Sequence, residues 1–269
     1  MFSTKSRTLV ASLILTLGAA CAGPAALTGK ENAEAAYNKA VGNLKNGEYP
    51  DALAAFADVK AKFPYSKYAA LADLRLADTH FEQGKFLEAV DAYRQFIKMH
   101  PTHQEIPYAL WRIAESDFKQ APDAWWFLPP PEERDQSTVR LAISAYQDVI
   151  DRYPQSEYAP QARAKIDDCH RLLAEHELYV AKFYWKHEKW QAAAARAEGL
   201  AKDYPNLGFD AEALLLAVRA RTNAGDAELA RNAGQRLVAK FPQSAEAAEA
   251  QNLMRKLPAQ PSPTAPVGG

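Results

Sequence analysis

The chain has 269 residues, of which 48% are hydrophobic and 24% charged, with a formal net charge of −1. That balance is ordinary for a soluble, folded protein and leaves no electrostatic footprint for a nucleic-acid partner. Glycine is sparse at 12 residues, alanine is abundant, and long stretches lack the Val/Ile/Thr runs of strands, so the composition points to helix throughout.

The first predicted element is a leader at 1–20. Lys5 and Arg7 precede an apolar run at 9–17, too short for a permanent membrane span. Gly18-Ala19-Ala20 and then Cys21 follow. Small residues ahead of a cysteine resemble the lipobox of bacterial lipoproteins, although Gly18 stands where that family usually has Leu. The resemblance implies cleavage and a covalent lipid on Cys21, and this is preferred over an ordinary leader that happens to precede a cysteine. Two or three acyl chains would hold the protein firmly, at about 0.8 kcal/mol per buried methylene. Cys169 would then be the remaining cysteine, so no intrachain disulfide is expected. Residues 21–31 read as a lipidated tether, and the Pro-rich stretch 258–269 reads as a disordered tail.

Between these ends the sequence repeats. Phe63-Pro64 recurs as His100-Pro101, Tyr153-Pro154, Tyr204-Pro205 and Phe241-Pro242. Twelve residues before each proline stands Ala52, Ala89, Ala142, Ala193 or Ala230. Eight before it stands Phe56, Tyr93, Tyr146, Ala197 or Gly234. Turns at Gly47-Glu48-Tyr49, Gly84-Lys85-Phe86, Glu188-Lys189-Trp190 and Gly225-Asp226-Ala227 come earlier still, and Ala40, Ala77, Ala114, Ala181 and Val218 lie on the helix before each turn. Alanine lets two backbones approach closely, and proline ends a helix. Ser66, Ser156 and Ser244, two residues after a proline, are expected to cap the helices that follow. This pattern resembles the tetratricopeptide repeat. It implies an all-α fold of five helical hairpins in a right-handed superhelix, with the first helices lining the concave face.

Two irregularities interrupt the period. Residues 120–136 form an insertion in the third repeat that contains Trp125-Trp126-Phe127-Leu128 and three consecutive prolines. Residues 159–187 lack a breaker after Pro160 and read as one helix on the order of 44 Å long. The expected layout is N-terminal repeats at 32–120, the insertion at 121–136 and C-terminal repeats at 137–257.

The five repeats, the insertion and the long helix occur together with His100-Pro101-Thr102-His103, Tyr153-Pro154-Gln155-Ser156-Glu157-Tyr158 and Arg196-Ala197-Glu198-Gly199-Leu200. Together they resemble the BamD family of outer-membrane protein assembly factors. The resemblance implies a non-enzymatic scaffold, lipid-anchored at the periplasmic face of the outer membrane. It would bind a BamA-like barrel and other assembly-machine subunits, and receive unfolded outer-membrane proteins. Ala22 fits that location, because some lipoproteins kept in the inner membrane carry Asp after the lipidated cysteine. Register on the repeat places Tyr37, Leu74 and Trp111 at one equivalent position, Leu44, Phe81 and Phe118 one step further, and Val41, Asp78 and Glu115 between them. These nine residues are expected to form an apolar, aromatic groove with interspersed acids, suited to an extended, aromatic-ended peptide. The alternative is that several of them pack between repeats. In the later repeats the same positions give Lys182, Trp185, Lys186 and Arg219, and Arg196 lies on the helix after. This basic half is expected to face the barrel's periplasmic domains, with Arg196 singled out because it matches a basic position of the family.

Other candidates are weaker. His100 and His103 flank a proline and lack a completing ligand cluster. Cys169 and His170 point about 100° apart on a helix, so a buried structural thiol is expected rather than a nucleophile and base. The Trp125–Leu128 stretch is expected to fold back over the third repeat, in preference to dipping into lipid headgroups or contacting a partner. No phosphate loop, nucleophile elbow or carboxylate pair appears, so no catalytic residue, metal or cofactor is expected beyond the lipid. Two other readings are kept: a different repeat lipoprotein, such as a division coordinator or pilus pilotin, and an envelope enzyme or sugar-binding lipoprotein. The five repeats with their insertion argue against the first, and the lack of a convergent polar pocket argues against the second.

Overall fold

Alanine and proline at a fixed spacing set the architecture of the computed structural model, which describes residues 29–121 and 131–258. Five hairpins follow one another: α1 (Gly29–Lys45) with α2 (Tyr49–Lys62), α3 (Lys67–Glu82) with α4 (Phe86–Met99), α5 (Ile106–Lys119) with α6 (Ser137–Arg152), α7 (Tyr158–Lys186) with α8 (Trp190–Asp203), and α9 (Asp210–Asn223) with α10 (Ala227–Lys240). A last helix, α11 (Ala245–Lys256), packs on α9 and α10 and closes the stack. Among the described residues there is no strand. Each helix packs on its sequence neighbours, and first helices also meet across hairpins, α1 on α3, α5 on α7 and α7 on α9. This is the helical solenoid read from the repeat. The leader, Cys21, the tether as far as residue 28, residues 122–130 and the tail from 259 lie outside the described residues. Helix α1 already begins at Gly29, so the last three residues assigned to the tether are helical.

The ten small positions lie at the helix contacts. Ala40, Ala77, Ala114, Ala181 and Val218 on the first helices, and Ala52, Ala89, Ala142, Ala193 and Ala230 on the second, are all fully buried. The gap left by the close approach is filled by Phe56, Tyr93 and Tyr146, also fully buried. In the last hairpin the filling comes from elsewhere. A side chain at Gly234 would collide with Met254 of α11, whose Sδ lies 2.6 Å from where a Cβ would stand. Cys169 is fully buried in the core around α4 to α7, and burial pushes its thiol up to about 12, so it stays protonated at neutral pH.

Both kinds of hairpin end follow from local chemistry. Phe63, His100, Tyr153, Tyr204 and Phe241 each stop a second helix with φ between −127° and −136° and ψ between 51° and 60°. The proline that follows keeps each of them out of the helical region. Within the hairpins, Gly47, Gly84 and Gly225 turn the chain with φ of 72° to 81°. At each, the next residue's N–H reaches back to a carbonyl five residues earlier, as Glu48 does to Asn43 at 2.9 Å. The α7–α8 turn makes the same bonds, Glu188 to Trp185 and Lys189 to Tyr184, but puts Glu188 in the left-handed position with φ 56°.

The serine caps are a partial correction. Ser244 accepts the Ala247 N–H at 3.0 Å as expected. Ser66 instead donates its hydroxyl backward to the Phe63 carbonyl at 2.8 Å, and the Ser156 hydroxyl is buried without a partner. The long helix α7 has 29 residues and starts one residue earlier than read from the sequence. Pro160 sits in its first turn, where no helical N–H bond is lost. The far end of the insertion, a 3-10 turn at Pro131–Glu133, is pinned to α7. His176 Nδ1 donates to the Glu132 carbonyl at 2.6 Å, and the Tyr179 hydroxyl donates to the Glu133 carboxylate.

A left-handed residue other than glycine costs roughly 1 kcal/mol. Glu188→Gly is therefore expected to raise the unfolding free energy by about that amount in urea titration. An unchanged or lowered stability would show that the Glu188 side chain earns its place through a contact of its own.

Candidate binding groove between the first helices

Where α1, α3 and α5 meet, the first helices bring charged and aromatic side chains to one face. Asp78 sits at its centre, 4% exposed, on the side of α3 turned toward α5. Its carboxylate accepts hydrogen bonds from Tyr93 of α4 at 2.5 Å and from Tyr108 of α5 at 2.9 Å. Arg75, one turn earlier, donates to the other carboxylate oxygen, and Arg112 Nε stands 3.9 Å from the first. Arg112 also donates to the Tyr93 hydroxyl at 3.1 Å and to Glu82 at 2.9 Å, while Arg75 Nε donates to Tyr37 on α1 at 3.3 Å. Four helices are thereby tied through one buried acid.

The electrostatics are consistent with this wiring. Burial, and then the Asp78 charge, push both the Tyr93 and Tyr108 hydroxyls well above the usual tyrosine range, so both remain donors. Burial alone would weaken the Arg75 cation. The Asp78 charge and the Tyr37 hydrogen bond outweigh it, and the guanidinium is held more firmly charged than usual. Above the network opens a cleft of about 520 Å³, lined by Leu44, Lys45 and Tyr49 on one side and Tyr108 and Arg112 on the other. Beside it, Trp111 stacks on Tyr158 of α7 with centroids 5.5 Å apart, and Tyr108 packs on Tyr158 at 5.8 Å. The Trp111 indole N–H is buried and has no partner.

The nine residues assigned to a groove from the sequence are only partly brought together. Tyr37 is half-buried against Phe56 and Tyr68. Val41 and Leu44 pack on the core of the first hairpin, and Leu44 also reaches the cleft. Leu74 is a correction: it is fully buried in the core shared with α4 and α5 and takes no part in the groove. Asp78 lines the cleft as expected of a groove acid, and does so as a buried hub bonded to its neighbours. Phe81 carries the Arg112 guanidinium 3.5 Å above its ring. Glu115 accepts the Tyr146 hydroxyl, and Phe118 lies under the Lys165 amine at 4.8 Å. Sequence reasoning missed Arg75, Arg112 and Tyr108. The spacing carried a signal, since Arg75 and Arg112 lie 37 residues apart, the same interval as Pro64 and Pro101.

The basic candidates of the second half are mostly paired within the chain. Lys182 of α7 meets Glu212 of α9 at 2.7 Å. Arg196 of α8 makes two bonds to Glu177 of α7 at 3.0 and 3.2 Å, and Arg219 of α9 grips Glu249 of α11 with bonds of 2.6 to 2.8 Å. Lys186 is exposed near the end of α7 and has no bonded partner among the described residues. Three of the four bases therefore present neutralised pairs rather than bare cations. Trp185, placed with them, packs on Trp190 at 4.8 Å. Of the two histidines, His100 Nε2 meets Asp73 at 2.9 Å and His103 Nδ1 accepts the Glu105 N–H at 3.2 Å.

A family model described as outer membrane lipoprotein, YfiO, matches residues 30–237. The outer membrane protein assembly factor BamD of Xylella fastidiosa (strain 9a5c) is 32% identical over 209 residues, covering 77% of this chain and 71% of that protein. BamD of Caulobacter vibrioides is 29% identical over 239 residues, 87% of this chain and 76% of the relative. BamD of Neisseria meningitidis serogroup A is 28% identical over 222 residues, 82% of this chain and 83% of the relative.

Removing the centre of a buried charge network leaves its partners uncompensated. Asp78→Ala is expected to cost about 3–5 kcal/mol in urea unfolding, since two hydroxyls and the Arg75 guanidinium would lose an acceptor and Arg112 a neighbouring opposite charge. A loss below about 1 kcal/mol would mean that water satisfies these groups as well as Asp78 does.

Proposed function

The chain belongs to the YfiO family of outer membrane lipoproteins, and we propose from that membership that it serves as an outer membrane protein assembly factor, a scaffold that binds proteins and performs no chemistry on them. The observation that carries the mechanism is the cleft over the Asp78 network, with aromatic rings beside it. Its rings and the Leu44 side chain offer apolar surface for an aromatic residue. Lys45, which also lines the cleft, offers a donor to a backbone carbonyl, the kind of bond an extended chain needs. An unfolded barrel precursor presents both features in its extended, aromatic-ended segments. The buried network keeps the floor of the cleft rigid, so binding spends little free energy on ordering the receptor.

The second half of the solenoid faces the assembly machinery, a BamA-like barrel and its companion subunits. Lys186 supplies the free charge there, and the Arg196–Glu177 pair supplies a planar, exposed guanidinium that keeps donors to spare. A lipid on Cys21 holds the scaffold at the periplasmic face of the outer membrane. Among the described residues no helix is long and apolar enough to cross a membrane.

Two measurements test this reading. A labelled peptide ending in phenylalanine is expected to bind the purified chain in a fluorescence-polarisation titration. Leu44→Ala combined with Lys45→Glu should weaken it at least ten-fold, about 1.4 kcal/mol, and equal binding by the double variant would remove the cleft from the mechanism. In co-purification from native membranes, Lys186→Glu is expected to reduce recovery of the barrel subunit. This substitution is preferable to one at Arg196, where a new acid would face Glu177 and disturb the α7–α8 contact. Undiminished recovery would place the barrel on another surface.

A further inference from the structure

The opposite side of α5 holds a second site. Asp117 is nine residues from Tyr108, which places it about 180° around the helix from the groove. It forms the floor of a cleft of about 310 Å³ that opens between α4 and α6. Asp117 is only 8% exposed, yet its carboxylate has no hydrogen bond or ion pair among the described residues. Burial pushes its carboxyl upward, and Arg94 of α4 opposes that from beyond bonding distance. The Asp117 oxygens meet solvent through the cleft alone, so the carboxylate stands partly desolvated with no partner from the chain itself. Asp78, by contrast, lies in the same layer and has every partner it needs.

The shape of the cleft defines what would complete it. Ile97 and Ile113 form aliphatic walls above the carboxylate. At the mouth, Leu141 of α6 is 57% exposed, and Ser144 stands exposed beside it. Aliphatic walls over a buried carboxylate, with a second acid, Asp148, exposed in the lining, match a long methylene stem ending in a cation. The exposed apolar rim at Leu141 calls for a covering that a free small amine cannot give, so the cation belongs to a polypeptide. Arg94 and Arg152 at the rim would repel a bare cluster of bases and favour one base flanked by neutral or acidic neighbours. We propose that this cleft is a docking site for a single lysine or arginine side chain of a partner protein, inserted between α4 and α6 to pair with Asp117. The site is independent of the groove, so a partner held here leaves the groove open.

The test uses the full chain, held in detergent through its anchor, with isoleucine methyl groups labelled for NMR. The probe is the acetylated, amidated tripeptide Leu-Lys-Leu, with norleucine in place of lysine as its neutral match. The lysine peptide is expected to shift the Ile97 and Ile113 methyls saturably, and the norleucine peptide to bind at least ten-fold more weakly. Asp117→Asn, close in shape, should weaken the lysine peptide at least ten-fold. Ser144→Trp, at an exposed position that leaves the core intact, should block it. Absence of shifts, equal response to norleucine or indifference to Asp117→Asn would overturn the proposal. So would binding that emerges only in Arg94→Ala, since the chain's own guanidinium would then be the natural occupant.

Discussion

Close approach of helix backbones at alanine is the constraint on which this structure rests. Ala40 with Ala52, Ala77 with Ala89, Ala114 with Ala142 and Ala181 with Ala193 are all fully buried at the helix contacts, and in the fifth hairpin Val218 stands with Ala230. Alanine buries little area, so the stability has to come from the residues that close the remaining gap. Phe56, Tyr93 and Tyr146 do this in the first three hairpins. In the fifth the gap is closed from outside by Met254, which explains why α11 is needed after the last hairpin. The cross-hairpin contacts then follow with little freedom, because the proline corners and left-handed turns fix where each helix begins and ends.

That regularity made much of the fold legible in the sequence. Proline and alanine act locally: each has one steric consequence wherever it stands, so counting intervals is enough. Positions whose meaning depends on a neighbouring helix were not legible in this way. Leu74 shares its register with Tyr37 and Trp111, but α4 and α5 close over it and make it core. Asp78 shares its register with Val41 and Glu115, but two tyrosines and two arginines converge on it. Ser66 and Ser156 carry the same spacing as Ser244, and only Ser244 turns its hydroxyl to the following helix. The ion pairs of the second half join residues 19 to 30 positions apart on different helices, as with Arg196 to Glu177 and Arg219 to Glu249. No one-dimensional period reveals such partners.

The two halves spend charge differently. Around Asp78 the acid is buried and its two arginines partly so, and each of the three is bonded more than once, which is the condition under which burial of a charge can be tolerated. Those bonds cross from α3 to α1, α4 and α5, so they fix the relative position of three hairpins rather than adding much net stability. In the second half Arg221 with Glu198 and Lys240 with the buried Asp210 lie deeper, but the pairs of Lys182, Arg196 and Arg219 are at the surface and screened, each contributing at most about 1 kcal/mol. Their role is better understood as shaping a surface of alternating sign. A rigid floor suits a groove that must take up a disordered chain, because the ordering cost then falls on the ligand alone. A weakly paired surface suits contacts between folded subunits, because such pairs can be exchanged at low cost.

The placement of α5 draws these threads together. One side of it carries Tyr108, Trp111 and Arg112 into the groove. The other carries Asp117, Ile113 and Leu110 toward the space between α4 and α6. The helix is fourteen residues long and lies between two fully packed hairpins, so it cannot tilt at one side without shifting the other. Asp78 of α3, paired with Tyr108 of α5, and Asp117 of α5, left unpaired, are then two settings of a buried acid, one closed within the chain and one open to a partner. A scaffold that must hold a precursor on one face and a companion on the other needs this division. The helical repeat supplies it here, because α5 lines one cleft facing α1 and another between α4 and α6.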